Sequence, residues 1–340
     1  MRILQAMAGA ERGGAESYFE SLVAALHRAG VDQRVVIRRN PERAARLRAA
    51  GLAPVQLPFG GPLEIFTAMA LRAQLGRYRP DVVVTWMSRA SGKMPRTSAF
   101  QIGRLGGYYD LKYFARCDLL VCNTLDLVDY CIDAGWPRRR VRYLPNFVNL
   151  TPRAAEDRAA HDTPQAAPLL LAMGRLHENK AFDVLLRALA LLPDCWLWLA
   201  GEGVLQAELA ALAAELGVAG RVRFLGWRDD KEALLAAADL VVVPSRVEPF
   251  GNVILDAWAA ERPLVAAAAA GPAAHATDGE DALLVPIDDA AALAAAVRRV
   301  LDEPALRSRL VEGGRRSHEA DYTEAAITRR WLDLMKATAR

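Results

Sequence analysis

Glu248 and Asp256, eight positions apart, are the side chains in this sequence best placed to do chemistry on a ligand. They lie in Val247-Glu248-Pro249-Phe250-Gly251-Asn252-Val253-Ile254-Leu255-Asp256-Ala257, just after the apolar run Leu240-Val241-Val242-Val243-Pro244. That run predicts a buried parallel strand stopped by proline. Val253, Ile254, Ala257 and Trp258 recur at helical spacing, so strand gives way to loop and then helix. Glu248 falls on the loop and Asp256 about one turn into the helix. Helical side chains lean toward the N-terminus, so both carboxylates can face the crevice at the carboxyl end of the strand, where open α/β sheets bind ligands. Phe250, Gly251 and Asn252 set backbone N–H groups at the helix start, and Gly251 admits close approach. Two acceptors for hydroxyls beside an anion-binding helix terminus suit a molecule that is part sugar and part phosphate. An isolated carboxylate here would read as an ordinary solvated acid; the combined pattern favours a site.

Three other segments fall at similar strand–helix junctions. Gly174-Arg175-Leu176-His177-Glu178-Asn179-Lys180 follows an apolar run at 169–173 and offers two cations. Gly13-Gly14-Ala15-Glu16 follows the first apolar run and opens a helix whose start presents N–H groups. Gly201-Glu202-Gly203 is no dinucleotide fingerprint, because Gln206 stands where the third glycine would be, which argues against a dehydrogenase.

Together these segments resemble the retaining GT-B glycosyltransferases, especially glycosyltransferase family 4, over nearly the whole chain. Glu248-Pro249-Phe250-Gly251 followed by Asp256 is similar to the family's E-x7-E signature, with aspartate one methylene shorter than the usual second glutamate. Gly174-Arg175-Leu176 with Lys180 resembles a G-R-L-x-x-x-K segment whose arginine and lysine hold the donor's diphosphate. A departing nucleoside diphosphate gains negative charge as the glycosidic bond breaks, so two cations there stabilise the transition state more than the ground state. The resemblance also implies that Gly13 and Gly14 point toward the donor phosphates and that Gly201 lies near the nucleotide. Asp278-Gly279 with Leu283-Leu284-Val285-Pro286 matches a segment that is mainly structural. Base-contacting loops vary in the family; Trp227 and Arg228 are the candidates here. Ala274 replaces a common acid and Glu261 a usual glycine. Many relatives carry a histidine after the strand at 82–85, where this chain reads Thr85-Trp86-Met87-Ser88-Arg89. No protein general base is evident, and the resemblance implies transfer on one face with the donor phosphate taking the acceptor proton. The chain has no D-x-D motif, and Arg175 and Lys180 carry the phosphate charge, so no metal and no other cofactor is expected.

The composition is that of a soluble α/β protein of two domains, 340 residues with 53% hydrophobic and 24% charged. The longest apolar stretch, 263–274, is too short to span a bilayer. Residues 1–7 read as a strand and not as a signal peptide. Cys117, Cys122, Cys131 and Cys195 form no C-x-x-C pair, and reduced core thiols in a cytoplasmic protein are expected. Residues 1–150 carry 22 Lys and Arg against 12 Asp and Glu, an excess of +10, and the remaining 21 basic and 28 acidic residues leave −7. A basic half implies an anionic partner. No nucleic-acid signature is present, so an anionic membrane surface or phosphorylated lipid acceptor fits better. Cations and aromatics mix in Lys93, Arg96, Arg104, Tyr108, Tyr109, Lys112 and Tyr113, which together with Arg89 are the acceptor-side candidates. A solvated helix over core tyrosines is the alternative.

Strands are predicted at 3–7, 33–37, 82–85, 119–122 and 141–144, then at 169–173, 196–200, 222–225, 240–243, 263–267 and 283–286. Helices are predicted at 15–29, 64–75 and 124–134, then at 182–191, 204–216, 231–236, 253–261 and 290–302. Alternation of this kind implies parallel, doubly wound sheets. The expected fold is α/β, two Rossmann-like domains facing a central cleft. Residues 1–150 would bind acceptor, 151–168 form a linker, and 169–320 bind nucleotide sugar. A last helix within 321–340 would pack back on the first domain through Ile327, Trp331 and Leu334. The expected function is a retaining, metal-independent hexosyltransferase moving sugar from a UDP- or GDP-sugar to a glycan or glycolipid in lipopolysaccharide or related surface-polysaccharide synthesis, on the inner face of the cytoplasmic membrane. A nucleotide-sugar epimerase or hydrolase, or a non-catalytic sensor, remains as the alternative.

Overall fold

The computed structural model describes residues 1–60 and 64–338; positions 61–63 and 339–340, within the expected first domain and C-terminal segment, lie outside the described residues. Two compact units result. The first holds residues 1–147 and the helix Glu324–Thr338, and the second runs from Val148 to Thr323.

In the first unit the strands are β1 (Arg2–Met7), β2 (Asp32–Arg38), β3 (Val55–Leu57), β4 (Val82–Trp86), β5 (Phe100–Leu105), β6 (Leu119–Cys122) and β7 (Val141–Tyr143). They form one parallel sheet in the order β3-β2-β1-β4-β5-β6-β7. Ile3, Leu4, Val82 and Val83 pair in register and are fully buried, as strands covered on both faces require. The helices Gly14–Arg28 and Glu324–Thr338 pack on this unit, with Phe19, Leu22, Ile327, Trp331 and Met335 in the same core. The helix Pro41–Ala49 was not predicted, although its start carries a clear signal. Asn40 Oδ1 accepts the Arg43 N–H at 2.9 Å and proline occupies the first turn, a cap worth about 1 kcal/mol.

The second unit repeats the plan. Its strands are β8 (Leu169–Met173), β9 (Trp196–Ala200), β10 (Val222–Gly226), β11 (Leu240–Val243), β12 (Leu264–Ala267) and β13 (Leu283–Val285). All pair in parallel, in the order β10-β9-β8-β11-β12-β13. Both sheets are doubly wound and Rossmann-like.

The structure corrects the linker reading. Residues 151–168 fold into the second unit: Glu156 N–H donates to Ala233 O at 3.0 Å, and buried Arg158 donates to the carbonyls of Ala237, Gln165 and Ala167 and to Asp239. The polar character that suggests a linker is that of a guanidinium satisfying loop carbonyls. Among the described residues, no helix is long and apolar enough to cross a membrane.

Candidate functional site

The carboxyl ends of β8, β9, β10 and β11 carry most of the sequence-predicted site. Sheet order reverses between β8 and β11, the position where open α/β sheets bind ligands. The loops interlock through their backbones. Gly174 N–H donates to Ala200 O at 2.9 Å, Gly201 N–H to Gly226 O at 2.7 Å, Val247 N–H to Asn179 O at 3.1 Å and Gly271 N–H to Glu248 O at 2.7 Å. Gly201 has φ +150°, and a Cβ there would lie 1.9 Å from Gly174 O. Only glycine lets these two loops touch.

Both signature acids are buried, Glu248 at 9% and Asp256 at 4% exposure, and each holds a lysine. Glu248 Oε2 pairs with Lys180 Nζ and accepts Ser245 Oγ–H at 3.2 Å. Asp256 Oδ1 accepts Lys231 Nζ at 2.6 Å. Burial pulls the Lys231 ammonium down, but the adjacent Asp256 charge outweighs it and the pKa ends raised. Arg175, on the same loop as Lys180, is exposed. The helix Asn252–Ala259 starts from Gly251, whose φ of +90° is the left-handed region. The arrangement can accept hydroxyls on carboxylates and meet an anion with Lys180 and Arg175. Among the described residues no three His, Cys, Asp or Glu side chains are grouped to hold a metal ion.

Several residues of these loops have partners within the unit. The Phe250 side chain is buried and packs edge-on to His275 at 4.5 Å between ring centroids, so only its backbone can serve a ligand. Arg228 is committed to Asp230 at 2.6 Å and Glu156 at 3.0 Å, and the Asp230 contact raises its pKa. Trp227 donates its indole N–H to Asp229 at 2.8 Å. His177 caps its own turn, its Nδ1 accepting Asn179 N–H at 3.3 Å.

Gly13, Gly14 and the acceptor-side candidates lie in the first unit. Gly13 is extended, with φ 163°, and caps the helix Gly14–Arg28. The preceding loop is held from within: Glu16 Oε1 accepts Ala10 N–H at 2.6 Å, and buried Arg43 donates to Ala10 O and Glu11 O, each at 2.9 Å. Arg89 is exposed and Lys93 half-buried on the helix Met87–Lys93; Tyr113 packs over Gly92 of that helix, and Lys112 lies over the Tyr113 ring. Tyr108 is exposed and donates to Asp126. Tyr109 is half-buried, and burial together with Glu16 pushes its pKa up to about 12. Arg104 is a correction. It is 2% exposed in β5, donates to Leu105 O and Asn146 Oδ1, and lies over the rings of Tyr18 and Trp86. Its stacking on aromatics belongs to the interior, where burial lowers its pKa.

Sequence reasoning missed three site residues. Lys231 stands 25 positions before its partner Asp256, and no spacing rule joins them. Ser245 follows β11 and only geometry turns it onto Glu248. Arg246 ties the Glu248 loop to the start of the helix Phe182–Ala190 through Asp183 at 2.7 and 2.9 Å, to Glu178 O at 3.1 Å and to Asp288 at 2.5 Å.

Comparison with known proteins finds matches in sequence and in fold. The family model described as Glycosyltransferase Family 4 matches residues 12–151, and that described as Glycosyl transferases group 1 matches residues 167–303. The lipopolysaccharide core biosynthesis glycosyltransferase LpsE of Rhizobium meliloti (strain 1021) is 40% identical over 331 residues, covering 95% of this chain and 96% of LpsE. LpsD of the same organism is 37% identical over 342 residues, covering 98% of each. In fold, the chain is similar to the crystal structure of Anabaena Alr3699/HepE in complex with UDP-glucose, with TM-score 0.86 at 19% identity, over 99% of this chain and 100% of that one.

Proposed function

Since the chain belongs to the glycosyltransferases of group 1 and family 4, we propose that it transfers a sugar from a UDP- or GDP-sugar to a lipopolysaccharide core or related glycan acceptor, with retention at the anomeric carbon. The observation that carries this reading is the placing of Arg175, Lys180, Glu248 and Asp256 at the carboxyl ends of one sheet, around its reversal point. Glu248 accepts hydroxyls of the transferred sugar, Asp256 holds the ribose, and Arg175 and Lys180 take the diphosphate. As the acceptor oxygen bonds to the anomeric carbon, the bond from that carbon to the phosphate oxygen breaks. The acceptor proton passes to the departing phosphate. The two cations stabilise the charge that develops there, so no metal and no protein base is called for. The names of LpsE and LpsD support a lipopolysaccharide core acceptor, and the basic first half supports attachment to the inner face of an anionic membrane.

Titration calorimetry with UDP-, GDP- and ADP-sugars, followed by incubation with deacylated lipopolysaccharide core and anomeric analysis by NMR, tests this reading. Turnover only with acceptor, giving a product of the donor's anomeric configuration, is expected. Conversion of donor without acceptor would mean an epimerase or hydrolase, and binding without conversion a sensor. Asp256→Ala should weaken nucleotide affinity, whereas Glu248→Ala should lower turnover without that loss.

A further inference from the structure

We propose that Glu248 and the donor's diphosphate compete for Lys180, so that the site loads and empties by ion exchange on one ammonium group. This rests on the nucleotide-sugar reading of the same site. Lys180 comes from the loop after β8 and Glu248 from the loop after β11, and their charged ends are in contact. The two ends are held differently. Glu248 is fixed: Ser245 Oγ–H donates to the same Oε2 at 3.2 Å, and Glu248 O accepts Gly271 N–H at 2.7 Å. Lys180 is held mainly along its stem, which lies on Gly174, where an added Cβ would come within 3.2 Å of Lys180 Cε. Its side chain stays 21% exposed against 11% for Glu248. The ammonium is therefore the end that can swing.

A diphosphate that takes Lys180 removes the cation from a carboxylate that is nearly out of water, and leaving such a charge without a partner is costly. With an intact donor, sugar hydroxyls replace the ammonium as partners of Glu248. With the nucleoside diphosphate left after transfer, no sugar hydroxyl is there to do so. Glu248 then reclaims Lys180 and weakens the hold on the product. One ion pair thus separates substrate from product at a shared phosphate site, where product release limits many enzymes.

The consequence runs against the usual effect of removing a binding residue. Glu248→Gln should bind free UDP or GDP more tightly than the natural chain, by roughly threefold to thirtyfold from the usual range for one charge-assisted contact, discounted for partial exposure. UMP or GMP, lacking the second phosphate, should gain less. In a Lys180→Met background the gain from Glu248→Gln should vanish, because there is no ammonium left to free. Calorimetry on the four proteins measures this, with thermal unfolding to show that each is folded. Ser245→Ala, which takes a donor from the same Oε2 and leaves Glu248 more dependent on Lys180, should shift nucleotide binding the opposite way, toward weaker UDP and GDP affinity. Unchanged or weaker UDP and GDP binding by Glu248→Gln would overturn the exchange. So would an equal gain in the Lys180→Met background, which would reduce the effect to general repulsion. A natural chain that binds neither UDP nor GDP would instead remove the nucleotide-sugar reading itself.

Discussion

Lys231 reaches Asp256 at 2.6 Å from the first position of the helix Lys231–Ala237, where the positive end of the helix dipole disfavours a cation. Its partner is 4% exposed in the middle of the helix Asn252–Ala259. A local rule broken beside a buried carboxylate marks a residue kept for its partner. Lys231→Met should destabilise the chain by about 1–2 kcal/mol, tempered by solvent around the partly exposed ammonium. Asp256→Asn in the same background should recover part of that loss. A double-mutant cycle in urea measures the coupling, and purely additive losses would mean that the pair is incidental.

The Gly201 contact gives a second expectation. Its φ of +150° and the 1.9 Å separation between an added Cβ and Gly174 O leave no room for alanine. Gly201→Ala should cost more than about 2 kcal/mol and shift the loop that carries Arg175. Gly220→Ala, with open space around it, is the control. Urea midpoints compare the two, and equal losses would count against the contact.

What the sequence made legible was what a continuous apolar run or a short motif can encode. The valines of β4 and β11 and the leucines of β8 announce buried strands without help from the rest of the chain. β5 does not, because its interior positions include Gln101, Gly103 and Arg104. Gly103 is there because a Cβ would lie 2.7 Å from Phe114 Cδ1 and 2.9 Å from Cys117 Sγ. The helix Pro304–Asp321 hides for a related reason. Gly313 and Gly314 face Glu280 O and the Trp258 ring, a close approach that a hydrophobic pattern does not register. In the candidate site, Arg175 with Lys180 and Glu248 with Asp256 were each readable from spacing within a segment, 174–180 and 247–257. Lys231, Ser245 and Arg246 were not, since their roles arise from pairings across strands or loops.

His275 sets a pH dependence. Burial pulls its pKa down from 6.5 to about 4, and its Nδ1 is 3.1 Å from the Tyr322 hydroxyl. Above pH 6.5 neither the folded nor the unfolded chain protonates this ring, so its contribution is intact. Between about pH 6.5 and 4 the unfolded chain alone takes up the proton, and stability falls by up to roughly 3 kcal/mol. His275→Gln should flatten that part of the profile. Urea unfolding of both proteins from pH 4.5 to 7.5 isolates the difference, and parallel curves would mean that this half-buried ring does not set it.

The basic first half leads to the last expectation, reversible attachment to anionic membranes. Not every arginine contributes, since Arg43 and Arg104 are interior. Arg89, Arg96, Lys112 and Arg116 are exposed, and Tyr108 and Tyr113, at 47% and 43% exposure, supply aromatic surface. Each basic residue near an anionic surface contributes about 1 kcal/mol, so a few of these suffice for useful binding. Co-sedimentation with anionic vesicles is expected at low salt and should be lost toward 1 M, where the Debye length falls to about 3 Å. Lys112→Glu with Arg116→Glu should weaken it severalfold, while neutral vesicles should hold little protein throughout. Binding indifferent to lipid charge and to salt would leave the asymmetry a matter of composition and point to an acceptor free in solution.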